Sequence, residues 1–176
     1  MALFTRQHKT GSEQIYEGLI FNVHVDTVQQ DGKQFKREIV EHNGGVVILG
    51  QPTDQEILLI RQYRYSVDEE LIELPAGRLE KGEDRAVAAA RELIEETGFE
   101  GRNWKQIAAM YSAPGFCDEL LTFHHANDLR FVGKKLDEDE ETDVMRLTLK
   151  EAWQLVLDGK VRDAKTVAGL GFIYLT

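Results

Sequence analysis

Hydrophobic and polar positions alternate in the first quarter of the chain, as is typical of strands with one buried face. Apolar or β-branched side chains recur at every second position from Val23 to Thr27, and Asp31-Gly32 is a strong signal for a hairpin turn. We therefore predict a small antiparallel β-meander over residues 13–42, preceded by a loose polar segment over residues 1–12.

The rest of the chain combines short apolar runs with segments of helical spacing. The apolar runs predict strands at residues 46–49, 56–64, 71–74, 106–111, 120–126 and 144–147. Helical spacing predicts helices at residues 84–97, 149–158 and 164–175. This mixture of elements predicts an α/β fold in which a mixed sheet lies between helices.

The length of the chain limits the number of domains. With 176 residues, we expect one domain and a small appendage. We assign residues 1–42 to the N-terminal meander and residues 43–176 to the main domain. A three-stranded meander is marginally stable alone, so it must pack on another surface.

The charge and the cysteine content of the chain limit the partners and the cellular compartment that we expect. There are 31 acidic and 21 basic residues, which gives a formal net charge of −10. Such a chain is repelled by nucleic acid and by anionic membranes, but it is compatible with divalent cations. A single cysteine excludes an internal disulfide, and neither a secretory signal nor a membrane-spanning apolar run is visible, so we predict a cytoplasmic protein.

The helix predicted at residues 84–97 carries an unusual acidic face. Glu92, Glu95 and Glu96 have the spacing that places side chains on one side of a helix, where like charges repel. They also lie in its second half, where the helix dipole disfavours anions. A divalent cation would compensate this charge, and hard carboxylate oxygens select Mg²⁺, Mn²⁺ or Ca²⁺. The alternative is a solvated acidic face without a ligand.

One long pattern surrounds these glutamates. Gly77, Glu83 and residues 91–99 fit G-x₅-E-x₇-R-E-U-x-E-E-x-G-U, where U is a bulky apolar residue, and all nine specified positions match. This pattern resembles the Nudix box, the signature of the Nudix hydrolase superfamily. The resemblance implies a Nudix α/β/α sandwich with a mixed sheet.

Segments outside the box are similar to one branch of that superfamily, the ADP-ribose pyrophosphatases. Leu74-Pro75-Ala76-Gly77 precedes the box, and Pro114 follows it in the segment 111–116. Further similar segments lie in the N-terminal meander and at residues 36–41, 61–64 and 137–140. The resemblance therefore covers residues 13–175.

The resemblance implies a role for several residues in binding metal ions. Glu92 and Glu96 match the principal ligands of a divalent cation, Mg²⁺ with Mn²⁺ as a possible substitute. Glu95 matches a third ligand, bridging or water-mediated, with a part in catalysis, and the backbone carbonyl of Ala76 matches a further ligand. Arg91, also assigned to catalysis, matches the residue that orients the glutamates through ion pairs.

An acidic loop over residues 137–143 has two readings. Six of its seven residues are acidic, and a run of charges is usually solvated. The resemblance instead implies that Glu138 is the catalytic glutamate that activates water and that Glu140 is a metal ligand. Glu141 is the reserve candidate, because the register of the match is uncertain by a residue or two.

Substrate contacts are also implied by the resemblance. Arg37 and Arg64 match positions that contact ADP-ribose, and a guanidinium suits both phosphate and adenine. Each could instead be a surface arginine on an edge strand. Glu119 matches a carboxylate near the terminal ribose, and Gly77 belongs to the same substrate-binding set.

The implied reaction is hydrolysis of the pyrophosphate bond in a nucleoside diphosphate sugar. With ADP-ribose, the products would be AMP and ribose 5-phosphate. The alternatives are a Nudix hydrolase of another nucleotide, such as GDP-mannose or a dinucleoside polyphosphate, and a non-catalytic sensor that binds ADP-ribose. The resemblance also implies a homodimer in which the N-terminal strands are swapped.

Overall fold

The structure is a computed structural model that describes residues 5–135 and 141–175. Within these residues the chain divides into two units. The first unit lies within Met1–Gly44 and Met110–Leu120, and the second within Gly45–Ala109 and Leu121–Thr176.

The first unit contains the predicted meander. Strands β1 (Lys9–Glu17), β2 (Phe21–Gln30) and β3 (Lys33–His42) form an antiparallel sheet in the order β1-β2-β3. The expectation of a loose start is wrong from Arg6 onwards, because Arg6–His8 is a 3₁₀ turn and β1 begins at Lys9. The side chains of β1 are almost all exposed, so pairing with β2 rather than a buried apolar face makes this segment a strand.

The buried face of β2 differs from the one that its apolar residues suggest. His24, Asp26 and Val28 are buried, whereas Val23 and Val25 are half-buried. Polar partners within the unit explain this, because Asp26 accepts a hydrogen bond from Ser12 at 2.6 Å and pairs with Lys9 at 2.7 Å. Burial of a carboxylate is tolerated when such partners are present.

The second unit is built on two sheets and a short ribbon. Its strands, apart from the last two residues of β9 and the first of β10, which fall in the first unit, are β4 (Gly45–Gly50), β5 (Glu56–Arg64), β6 (Glu69–Glu73), β7 (Ala76–Arg78), β8 (Phe99–Glu100), β9 (Asn103–Tyr111), β10 (Leu120–Asn127), β11 (Arg130–Phe131) and β12 (Thr142–Thr148). They are ordered β7-β4-β10-β9, β12-β5-β6 and β11-β8. The four-stranded sheet is mixed, since β4 is parallel to β10 and antiparallel to β7.

Helices cover opposite faces of strand β4. These are α1 (Arg85–Thr97), α2 (Leu149–Leu157) and α3 (Ala164–Tyr174). Val46 and Ile48 pack in one core with Leu93 of α1, whereas Val47 and Leu49 belong to a second core that includes residues of α2 and α3. Successive side chains of a strand point to opposite faces, so β4 lies between two helical layers. The predicted α/β sandwich with a mixed sheet is therefore confirmed.

None of the helices in the described part of the chain is long and apolar enough to cross a membrane.

Candidate active site

Helix α1 begins and ends at residues that fix the position of its acidic face. The side chain of Asp84 accepts hydrogen bonds from the backbone N–H groups of Ala86 and Val87, so it caps the first turn. Gly98 ends the helix in the left-handed conformation with φ of 77°, which favours glycine. The glutamates therefore lie in the last turns, as predicted from the sequence.

Two of the three glutamates are buried. The exposed fraction is 8% for Glu92 and 2% for Glu96, whereas Glu95 keeps about a quarter of its side chain exposed. A solvated acidic face is therefore excluded for Glu92 and Glu96. The apolar face of the helix does not include every residue with helical spacing. Ala88 and Ala89 are buried, whereas Ala86 is exposed although it shares helical spacing with Leu93 and Thr97.

Arg91 connects the glutamates to the loop that precedes the helix. Its guanidinium donates hydrogen bonds to Glu92 and Glu95 at 2.8 Å each and to both oxygens of Glu83 at 3.0 Å. The hydrogen bonds to Glu83 are the main cause that raises the pKa of Arg91, and the same bonds lower the pKa of Glu83. The ion pairs implied by the resemblance are thus present in the structure. With the three carboxylates ionised, the four groups carry a formal charge of −2.

Glu96 is held at the start of strand β7. The backbone N–H of Ala76 donates a hydrogen bond to Glu96 Oε2 at 2.9 Å. At the other end of the residue, the hydroxyl of Thr142 donates to the backbone carbonyl of Glu96 at 2.8 Å. These bonds join helix α1 to strands β7 and β12, and they fix the direction of the Glu96 side chain.

Gly77 leaves the space that the Glu92 carboxylate occupies. A Cβ atom built on Gly77 would lie 1.8 Å from Glu92 Oε1 and 1.9 Å from its Cδ, which is far inside van der Waals contact. The absence of a side chain at Gly77 allows this close approach, and β7 therefore presents its backbone to the acidic face. Gly77 is thereby placed beside Glu92, while its assignment to substrate binding remains a prediction.

The chemistry of these residues fits a hard divalent cation. Glu92 and Glu96 provide buried carboxylate oxygens within a cluster that keeps a net negative charge after pairing with Arg91. Such oxygens are the donors that Mg²⁺ and Mn²⁺ prefer. Within residues 5–135 and 141–175, no three or more acidic, histidine or cysteine side chains are arranged as a complete metal site. Two further predicted residues, Glu138 and Glu140, lie outside the described residues, and Glu141 is exposed.

Arg64 is engaged by a buried carboxylate that the sequence analysis did not single out. Its guanidinium donates hydrogen bonds to the two oxygens of Glu73 at 2.7 and 2.8 Å, and Lys165 also binds Glu73. Burial acts to raise the pKa of Glu73, but the bonds from Arg64 and the charge of Lys165 lower it overall. The same hydrogen bonds to Glu73 are the main cause that raises the pKa of Arg64, and the charge of Glu96 adds to the effect.

A signal for Glu73 was present in the sequence. It is the only charged residue in the run Leu71-Ile72-Glu73-Leu74, and a charge among apolar neighbours indicates a buried carboxylate with a partner. Its cationic partner Lys165 is distant in the sequence, and no local pattern connects the two residues.

We expect Glu73→Gln to destabilise the protein by about 2 to 4 kcal/mol at pH 7, because it leaves two cations without their shared carboxylate. The expected loss of stability is smaller than the full cost of breaking a buried ion pair, because Arg64 is partly exposed. The lowered pKa of Glu73 means that its stabilisation is present above about pH 4.3 and is lost as the pH falls through its pKa in the folded protein. Urea unfolding of both proteins from pH 7 to pH 3 measures this, and a constant difference across that range would contradict it.

The other two predicted substrate residues belong to the first unit. Arg37 lies on β3, where its guanidinium is 5.9 Å from the centre of the Phe35 ring and donates to the Lys36 carbonyl. The Glu119 carboxylate lies 3.5 Å from Nδ1 of His42. Their assignments to substrate binding remain predictions.

Fold and site together define a class of protein: an α/β sandwich with a buried glutamate cluster suited to a divalent cation. Residues 41–170 match the family model of the NUDIX domain. This match spans more than half of the chain, and the chain therefore belongs to the Nudix family.

Curated relatives narrow the comparison. The chain is 40% identical over 166 residues to an ADP-ribose pyrophosphatase of Bacillus subtilis (strain 168), with 93% of this chain and 90% of the relative covered. It is 39% identical over 170 residues to a methanol dehydrogenase activator of Bacillus methanolicus, with the same coverage of 93% and 90%. A GDP-mannose pyrophosphatase of Salmonella paratyphi B (strain ATCC BAA-1250 / SPB7) is 33% identical over 165 residues, with 86% and 85% covered.

A solved structure supports the fold independently. The crystal structure of an ADP compounds hydrolase superposes with a TM-score of 0.82 and covers 95% of this chain and 91% of that chain at 24% identity. At this identity the likeness concerns the fold alone. The family match and the relatives confirm the predicted resemblance to the ADP-ribose pyrophosphatase branch of Nudix hydrolases, and with it the predicted enzyme class.

Proposed function

We propose that this chain is a Mg²⁺-dependent Nudix pyrophosphohydrolase that cleaves ADP-ribose to AMP and ribose 5-phosphate. The observation that carries the proposal is the buried pair Glu92 and Glu96, held in place by Arg91 and by the N–H of Ala76. Relatives described as pyrophosphatases of ADP-ribose and of GDP-mannose support a nucleoside diphosphate sugar as the substrate class.

The reaction brings together an anionic diphosphate and an anionic nucleophile on an acidic protein. Glu92, Glu96 and the carbonyl of Ala76 would hold the divalent cation, with Glu95 and Glu140 as additional ligands. When bound, such a cation would neutralise charge on the diphosphate and would lower the pKa of a water molecule. Glu138 would accept a proton from the attacking water, a role worth about 10²- to 10⁴-fold in rate. Arg91 keeps the glutamates oriented through its ion pairs.

The remaining assigned residues would recognise the substrate. Arg64, whose guanidinium donates two hydrogen bonds to Glu73, has the planar geometry that binds phosphate. Arg37, Glu119 and the backbone at Gly77 complete the proposed set of substrate contacts. Mn²⁺ is the expected substitute for Mg²⁺, because both prefer carboxylate oxygens.

Two alternatives have specific support. GDP-mannose is a candidate substrate because a pyrophosphatase of that sugar nucleotide is among the relatives. A regulatory role is suggested by the relative described as a methanol dehydrogenase activator. A purely non-catalytic sensor is disfavoured, since all the glutamates of the box are present in this chain.

The direct experiment is release of AMP from ADP-ribose with Mg²⁺, compared with GDP-mannose, diadenosine polyphosphates and 8-oxo-dGTP. We expect ADP-ribose to have the highest kcat/KM and the activity to disappear when EDTA removes the metal. Faster cleavage of another substrate would replace ADP-ribose in the proposal. Tight binding of ADP-ribose without cleavage of any compound would place the protein among the sensors.

A homodimer with swapped N-terminal strands is also proposed. The first unit exposes several large apolar side chains that a second copy would cover, among them Ile15, Tyr16, Leu19, Ile20 and Phe21. A small sheet needs a covered hydrophobic face or packing against another element for independent stability. Sedimentation of an active monomer at micromolar concentration would contradict the dimer. We place the protein in the cytoplasm because its single cysteine fits a reducing compartment.

A further inference from the structure

The first turn of helix α3 binds the segment that leads into strand β7. Asp163 caps the helix, and its Oδ2 accepts hydrogen bonds from the N–H and the hydroxyl of Thr166 at 3.0 and 2.6 Å. The Thr166 oxygen in turn accepts the backbone N–H of Leu74 at 2.8 Å. Since the hydroxyl has one proton and gives it to Asp163, its oxygen is left to accept from Leu74. Thr166 is fully buried, so no solvent replaces this bond.

A second contact joins α3 to Glu73, the residue before Leu74. Lys165 binds the buried carboxylate of Glu73 and lies 3.0 Å from Asp163. The helix is also packed closely here, because a Cβ atom built on Gly169 would lie 2.4 Å from Leu74 Cδ1. Helix α3 therefore holds Glu73 through its side chain and Leu74 through both backbone and side chain.

Only Pro75 separates Leu74 from the residue that orients Glu96. Proline fixes its own φ angle, and its carbonyl accepts the N–H of Ile48 at 2.8 Å, so the connection is stiff. The next residue, Ala76, donates its N–H to Glu96 Oε2. A displacement of Leu74 would therefore be passed to the hydrogen bond that fixes a candidate metal ligand.

We propose that Thr166 is a positioning residue for the candidate metal site: its hydroxyl fixes the backbone at Leu74 and thereby the Ala76 N–H that orients Glu96. Thr166 lies on α3, outside the Nudix box, and contacts neither the glutamates of α1 nor their arginine through any described hydrogen bond. The effect on catalysis rests on the proposed function, whereas the effect on the Ala76 N–H does not.

The test compares Thr166→Val, which keeps the shape but removes the hydroxyl, with Thr166→Ser, which restores it. Thr148→Val is the matched control, because Thr148 also caps a helix of the second unit but holds only its own helix, through Glu151. We measure hydrogen exchange of the Ala76 amide by NMR in metal-free protein, Mn²⁺ affinity by electron paramagnetic resonance, and thermal stability. Asp163→Asn is the second variant if Thr166→Val does not fold.

For Thr166→Val we expect at least tenfold faster exchange at Ala76 and about 10- to 100-fold weaker Mn²⁺ binding, the range for residues that orient metal ligands. Thr166→Ser should restore both values to within about threefold, on the same principle that the hydroxyl carries the effect. Thr148→Val should lower thermal stability without changing Ala76 exchange or Mn²⁺ affinity. The proposal is overturned if Thr166→Val lowers stability but leaves Ala76 exchange unchanged. If the wild type binds no Mn²⁺, the proposed function loses its metal, while exchange at Ala76 still decides the role of Thr166.

Discussion

Replacing Glu96 by glutamine is expected to lower kcat for ADP-ribose hydrolysis by about 10³-fold, equivalent to about 4 kcal/mol in the activation barrier. The substitution removes a buried negative charge that would bind the divalent cation. It keeps the size of the side chain and an oxygen that accepts the Ala76 N–H, which donates to Glu96 in the wild type. We therefore expect the fold to survive while the metal-dependent step is lost.

The measurement is kcat and KM at several Mg²⁺ concentrations, together with a thermal unfolding curve of the metal-free protein. Glu100→Gln is the matched control, because Glu100 is a partly exposed glutamate that pairs with Arg130 at the surface. Its loss should change stability by less than about 1 kcal/mol and leave the rate unaltered. A Glu96→Gln protein that retains wild-type activity at every Mg²⁺ concentration would remove Glu96 from the proposed site.

The local part of the site was predictable because its residues are close in the sequence. Glu92, Glu95 and Glu96 share a face through helical spacing alone, and Arg91 lies next to them. Their different burial was not predictable, since it depends on how β7 approaches α1. The backbone of Ala76 and the space at Gly77 are set by that approach.

The residues that hold the site in place, Glu73, Asp163 and Thr166, were not predicted, because their contacts join distant parts of the sequence. Glu73 binds Lys165 and Leu74 binds Thr166 across 92 positions of the sequence, and no periodic pattern reports such contacts. Asp163 looks like an ordinary helix cap, and only the structure shows that its acceptor oxygen also sets the direction of the Thr166 hydroxyl. Positioning in this site is therefore a property of tertiary packing.

The fold shows the same division between local and distant causes. Helix α1 was predicted to within one residue, because its cap Asp84 and its terminal Gly98 are local signals. Strand β1 was missed over residues 9–12, because its polar side chains give no alternation and only its partner β2 makes it a strand. Strand β7 was missed for a similar reason, since its three residues pair with β4 directly after Pro75.

Gly77→Ala is expected to lower kcat/KM by about 10²-fold or more with a loss of stability below about 2 kcal/mol. Gly77 does not have a positive φ angle, so its backbone accepts alanine without strain. The obstacle is the Glu92 carboxylate, 1.8 Å from the position of the new methyl group. Because this carboxylate is the end of a flexible side chain, it would move away at little cost, but it would leave its hydrogen bond with Arg91 and its place as a metal ligand.

This variant should therefore lose activity while it keeps most of its stability. Urea unfolding measures the stability, and Mn²⁺ affinity and steady-state kinetics measure the loss at the site. Gly171→Ala is the matched control, because nothing lies within 4 Å of a Cβ built on Gly171 and its helix favours alanine. That control should gain up to about 1 kcal/mol in stability and keep full activity. If Gly77→Ala hydrolyses ADP-ribose at the wild-type rate with unchanged Mn²⁺ affinity, the position of the Glu92 carboxylate beside Gly77 does not determine metal binding.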